Sequence, residues 1–242
     1  MIPFVVAAVL LQAVSAPPVP FAVGETYEYS PHYSVNLFGS LGSTTMTVVG
    51  VDTVRGVPSW HFTLMTTVSA PFYKNQSRLE SWTSVKDFVS RRFIHVVNEN
   101  GKQYADDDFQ IHADSGYFRN HADTVSKPTP RDALDDLSFI YYIRTMELQD
   151  GKTYHFQRYF RQDHNPVEVT VLGHDTLGMP DGSRRRCWLL HLLVDEPNGM
   201  FSKKANAKLW LSDDGVRIPV QIRSEVGVGS VTLKLRKISR AQ

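Results

Sequence analysis

The chain has 242 residues, 42% of them hydrophobic and 21% charged, with a formal net charge of +1 at neutral pH. This is the composition of a globular protein rather than a disordered one, and so small a net charge gives no general electrostatic case for nucleic acid. Cys187 is the single cysteine, which excludes an intrachain disulfide.

The N-terminus reads as an export signal. Ile2 to Leu11 is an apolar run of about ten residues, half of what a membrane span needs. Val14-Ser15-Ala16 places small residues where a signal peptidase cuts. Two features depart from the pattern: no Lys or Arg precedes Arg55, and Pro17 follows the cut. No cysteine follows the run, so a lipid anchor is not expected. The division this gives is residues 1–16 as signal peptide, 17–20 as a proline-rich linker and 21–242 as one β-rich domain. The mature chain is expected to be periplasmic or secreted, soluble, and without a transmembrane segment.

Strand signals begin at Glu25–Ser30, with Tyr27 and Tyr29 on one face. Asn36–Ser43 reads as a loop and Thr44–Val51 as a β-branched strand. Arg55-Gly56 predicts a turn into Val57–Ser69, whose Trp60, Phe62 and Leu64 share a face. Strands are expected at Arg78–Val85, Phe88–Val97, Gln103–Ala113 and Tyr117–Val125, with Asn100-Gly101 as a hairpin turn. A helix is expected over about 130–146. Thr129 would cap it, Pro130 would open it and Asp132 would answer the cap. Leu134, Leu137, Ile140, Tyr141 and Arg144 recur at spacings of three and four, so the helix reads as amphipathic. Strands resume at Thr153–Arg161, Val167–His174, Cys187–Val194, Lys208–Leu211, Ile218–Val226 and Ser230–Ile238. A mainly β fold follows, with a curled antiparallel sheet, half-barrel or barrel-like, and one central helix.

The segment Leu209-Trp210-Leu211-Ser212-Asp213-Asp214-Gly215 through Val220 resembles the late hairpin of an exported bacterial family, domain of unknown function 3108. Phe21–Glu25 with Tyr27-Glu28-Tyr29 resembles its opening, and Gly229–Leu233 its closing strand. Asp136–Phe139 through Tyr141–Arg144 resembles its helix, and Gly151–Tyr154 the strand after it. Asp136 stands where the family often has proline, which should extend the helix one turn upstream. The Pro180-Asp181-Gly182-Ser183 turn runs through Arg184-Arg185-Arg186 to Cys187, a longer path than usual. The resemblance implies a character like that of periplasmic half-barrels that carry lipids or lipoproteins. It supplies no catalytic residues.

No residue set carries a recognisable chemistry. The nine histidines lack a tight ligand spacing. Sheet pairing could still gather some of His61, His95, His112 and His191 in a metal-dependent enzyme acting on envelope polymers. Asp106-Asp107-Asp108 lacks the calcium-loop pattern and reads as a solvated edge. Cys187 lies in an apolar strand beside Trp188 and reads as an inert thiol. Arg184–Arg186 and Lys203-Lys204 read as basic loops, either solubilising surface or contacts for anionic headgroups. No cofactor, catalytic residue or metal ligand is therefore expected. The aromatic helix either packs a full core or leaves a cavity against the concave sheet. In the second case Tyr27, Tyr29, Trp60, Phe62, Phe139, Tyr142 and Trp210 would line a site for an apolar or amphipathic ligand. The partners this admits are a lipid or amphipathic molecule or an envelope protein. The rival reading is an envelope assembly protein without a small ligand.

Overall fold

A computed structural model describes residues 18–34, 42–70, 73–195, 201–225 and 229–240. The expected signal peptide, and most of the loop expected at Asn36–Ser43, lie outside the described residues. The N-terminal half forms β1 (Thr26–Tyr33), β2 (Gly42–Val54), β3 (Val57–Ala70), β4 (Tyr73–Ser84), β5 (Ser90–Glu99), β6 (Lys102–His112), β7 (Tyr117–Asn120) and β8 (Lys127–Pro128). Helix α1 (Asp136–Arg144) follows. The second half forms β9 (Thr153–Phe156), β10 (Val167–Gly178), β11 (Arg184–Leu193), β12 (Ala207–Ser212), β13 (Pro219–Glu225) and β14 (Ser230–Ser239).

Each half is a meander whose neighbours pair in chain order, all antiparallel. The two meanders join where β1 pairs with β14, from Thr26↔Ser239 to Tyr33↔Val231. The result is one curled, barrel-like sheet of 14 strands that does not close, with edges at β8 and β9. Local chemistry sets the turns. Arg55-Gly56 and Asn100-Gly101 each hold positive φ at both positions (48° and 79°, 50° and 79°), the conformation that suits a tight hairpin.

The segment that links the two edges stitches the seam. The Thr129 hydroxyl donates to the Phe160 carbonyl at 2.6 Å. Ser90 N–H donates to the Ala133 carbonyl (2.8 Å), and Phe160 N–H to the Leu134 carbonyl (2.9 Å). This corrects the expected helix start. Residues 130–134 form a turn and a β-bridge from Leu134 to Tyr159 rather than a helix, so Thr129 cannot cap one, and Asp136 brings no upstream extension. The cap is Asp135. Its carboxylate accepts the N–H groups of Leu137 (3.0 Å) and Ser138 (2.8 Å), and the Ser138 hydroxyl answers the Asp135 N–H at 2.9 Å. Nor is α1 amphipathic. Seven of its nine residues are buried, leaving Asp136 and Tyr142 part-open, as a helix enclosed by its sheet requires.

Asp135 also accepts the hydroxyls of Ser81 (2.6 Å) and Ser90 (2.7 Å), so it ties α1 to β4 and β5. Burial pushes its carboxyl above the ordinary range, against the lowering effect of these hydrogen bonds. Asp135→Ala should cost about 2–3 kcal/mol in chemical unfolding, because several buried donors lose their acceptor. Asp135→Asn should retain most of that stability, since a neutral acceptor suits the buried cap.

Two further expectations change. Arg184–Arg186 are not a loop: they form the exposed start of β11 and pair with Gly178, Leu177 and Thr176. Asp106–Asp108 are not uniformly solvated. Asp106 is exposed, but Asp108 takes a two-pronged ion pair from Arg92 (2.8 and 2.6 Å), and Asp107 accepts from Asn120 at 2.7 Å.

Candidate ligand-binding site

The interior beside α1 is filled with rings. Strand alternation turns Phe62 inward from β3, and Tyr141 of α1 stacks on it with centroids 3.8 Å apart and planes 13° from parallel. Tyr27, Tyr29 and Phe62 have no exposed surface, and Phe139 is buried. The Tyr29 hydroxyl donates to the Pro219 carbonyl at 2.7 Å, which satisfies it inside the core. These four side chains are packed into the protein rather than left on an open wall.

Trp60 and Tyr142 differ: both remain part-open at the edge of this packing. They belong to a longer row. Phe21 meets Trp60 at 5.4 Å and Phe88 at 6.3 Å. Phe88 then meets Tyr142 (5.9 Å), Tyr142 meets Phe156 (5.7 Å) and Phe156 stacks on Tyr154 (6.4 Å). Phe21 is buried, whereas Trp60, Phe88, Tyr142, Phe156 and Tyr154 are part-open. Arg158 lies 4.5 Å over the Tyr142 ring and Lys152 4.8 Å over Tyr154, so cations border the row.

Trp210 stands apart. Its register row runs through Gln221 and Lys234 to Ser30, the face opposite Tyr29. Its indole N–H donates to Asp175 at 2.7 Å.

A buried charge lies under the row. Arg144, fully buried at the end of α1, meets the Glu25 carboxylate at 2.7 Å. It also donates to the carbonyls of Pro20 (3.0 Å) and Val216 (3.1 Å), and its guanidinium faces the rings of Phe21, Tyr27 and Tyr141. Burial disfavours the charge, but the partners around it outweigh that and hold Arg144 protonated. The helix is thereby clamped to the N-terminal segment and to the loop between β12 and β13. Sequence spacing places Arg144 in the helix stripe but carries no sign of its partner.

Residues 28–236 match the family described as protein of unknown function DUF3108. The chain belongs to the DUF3108 family. No curated protein matches it. Among solved structures, it resembles the β-barrel-like DUF1849 protein of Brucella abortus, with TM-score 0.57 and 10% identity over 91% of this chain and 98% of that one. That likeness establishes a shared fold and nothing about activity. A candidate lipoprotein from Parabacteroides distasonis (TM-score 0.39, 10% identity, 91% and 98% coverage) is more distant. So is a candidate exported protein with a YmcC-like fold from Bacteroides fragilis (TM-score 0.36, 12% identity, 92% and 98% coverage).

The DUF3108 fold does not bring His61, His95 and His191 together. They sit on β3, β5 and β11. His61 stacks on Trp82 and lies 3.1 Å from Asp52 and 2.8 Å from Glu80. His95 lies 3.9 Å from Asp107. Among the described residues no three His, Cys, Asp or Glu side chains gather to hold a metal. No helix among them is long and apolar enough to cross a membrane. An open pocket of about 250 Å³ lies at the far ends of β3, β4 and β5, lined by Thr67, Val68, Lys74, Gln76 and Asn98. Burial pushes the Cys187 thiol up to about 11 and leaves it without exposed surface. Iodoacetamide at pH 8 should therefore leave the native chain unmodified and label it only after unfolding; mass spectrometry reads the difference.

Proposed function

We propose that this chain is an exported, periplasmic binding protein, and that an apolar or amphipathic envelope molecule rests on the aromatic row beside α1. One observation carries the reading: the rings of Phe88, Tyr142, Phe156 and Tyr154 form a continuous part-open row that joins a packed core. A contiguous aromatic surface of this kind is the usual chemistry of a binding surface. The cations of Arg158 and Lys152 at its border suit a ligand with one polar end. Of the residues expected from sequence, Trp60 and Tyr142 would touch the ligand. Tyr27, Tyr29, Phe62 and Phe139 would support the row from beneath, and Trp210 would have no part in it. The apolar run at residues 2–11 and the resemblance to an exported family support the location.

A fluorescent apolar probe tests the reading. The full chain should bind it saturably, and Tyr142→Ala or Phe156→Ala should weaken binding roughly tenfold, as loss of one ring contact predicts. Unchanged binding in both variants would place the ligand elsewhere.

A further inference from the structure

Strands β10 and β11 and the loop between β12 and β13 bring His174, Trp188 and Arg217 together. His174 on β10 pairs with Trp188 on β11, and their ring centroids are 4.1 Å apart. The Arg217 guanidinium, from the loop between β12 and β13, lies 5.7 Å from the Trp188 ring centroid. Trp188 Nε1 and Arg217 Nη1 are buried with no hydrogen-bond partner among the described residues, whereas His174 Nε2 lies 3.5 Å from the Asp213 carboxylate. Buried polar groups are nearly always paired, so two unpaired donors in one place point to an acceptor from outside the chain.

The charges around the cluster favour an anion. Asp214 is held by Arg185 at 2.8 Å, by the Ser212 hydroxyl and by two backbone N–H groups. Asp213 lies 3.5 Å from both Arg186 and His174, and Asp150 lies 3.2 Å from His174 Nδ1. Asp213 and Asp214 have arginines of their own, and Asp150 and Asp213 flank the two nitrogens of His174. Arg217 makes no ion pair within the described residues, and burial disfavours its charge, with Asp213, Asp214 and Tyr154 acting in the opposite sense. A part-buried cation in that position is stabilised by an anionic partner. Tyr154, the last ring of the row, lies on β9, which pairs with β10, the strand that carries His174.

We infer that Arg217 and Trp188 receive the anionic headgroup, a carboxylate or phosphate, of an amphipathic molecule whose apolar body lies on Tyr154, Phe156 and Tyr142. The inference rests on the proposed binding function and adds the chemical class of the ligand.

Calorimetric titration of the full chain with decyl phosphate, decanol and inorganic phosphate tests it, with thermal unfolding as the check that variants fold. Decyl phosphate should bind at least roughly tenfold more tightly than decanol. Arg217→Gln and Trp188→Phe should each remove most of that advantage and leave decanol binding unchanged. Equal binding of decyl phosphate and decanol, unaltered by either variant, would overturn the headgroup assignment and leave the aromatic row standing. Equal losses for both probes would mean these side chains only shape the row, which also overturns it. Inorganic phosphate binding as tightly as decyl phosphate, and lost in Arg217→Gln, would make this a free-anion site. Failure of both decyl probes would remove the proposed function together with the inference.

Discussion

Glu25→Ala should lower the unfolding free energy by about 3–5 kcal/mol, because it leaves the Arg144 guanidinium charged and unpaired inside the protein. Arg144 has no exposed side-chain surface and Glu25 only 3%, so water cannot replace the lost carboxylate at 2.7 Å. The remaining partners of Arg144 are carbonyls, a phenol and ring faces, which solvate a cation but do not neutralise it. The pair joins β1's leading segment to the end of α1 and, through Val216, to the loop before β13. Its loss should therefore loosen all three together. Replacing both charges, as in Glu25→Leu with Arg144→Met, should restore much of the stability, because well-packed apolar groups need no compensation. Urea unfolding of the three proteins reads this directly. A loss below about 1 kcal/mol for Glu25→Ala would mean that solvent reaches the arginine.

Phe62→Ala should cost about 3–5 kcal/mol, the range for deleting a fully buried aromatic side chain. Phe62 stacks on Tyr141 and meets Phe21 edge-on at 5.5 Å, so its removal opens a cavity between α1 and β3. Tyr142→Ala should cost clearly less, because its ring is already part-open. The contrast distinguishes the two layers of rings: Phe62 holds the helix in place, whereas Tyr142 presents a surface. Comparable losses for the two variants in urea unfolding would make Tyr142 part of the core and weaken its role in binding.

Much of this architecture is legible in the sequence, where local chemistry decides. Asn100-Gly101 and Arg55-Gly56 announce their turns because few residues accept positive φ at two successive positions. Tyr27 and Tyr29 reveal an inward face because alternation is a property of any strand. The helix start is less visible, because two caps compete. Thr129-Pro130 has the form of one, and Asp135 with Ser138 is the other. Long-range bonds from the 129–134 segment to Ser90 and Phe160 decide between them. Trp210 is a subtler case. Its parity relative to Leu209 and Leu211 is plain, but its parity relative to Tyr29 depends on pairing across four strands, with irregular registers at Glu28/Tyr29 and Trp210/Leu211.

The candidate site was the least legible part. Arg144 and Glu25 are separated by 119 positions and meet only because β1 pairs with the last strand and α1 is drawn beneath it. His174, Trp188 and Arg217 come from two strands and a loop, with no spacing rule to connect them. The seven aromatic residues expected to line a ligand come from four elements, β1, β3, α1 and β12. Burial then divides them, since Phe62 and Tyr27 are consumed by packing while Trp60 and Tyr142 keep part of their surface.

Native mass spectrometry of the full chain, purified from its own envelope fraction without detergent, tests the binding function most directly. The protein should carry an amphipathic adduct that is depleted in Tyr142→Ala and Phe156→Ala. A bare protein mass in all three preparations would contradict the account.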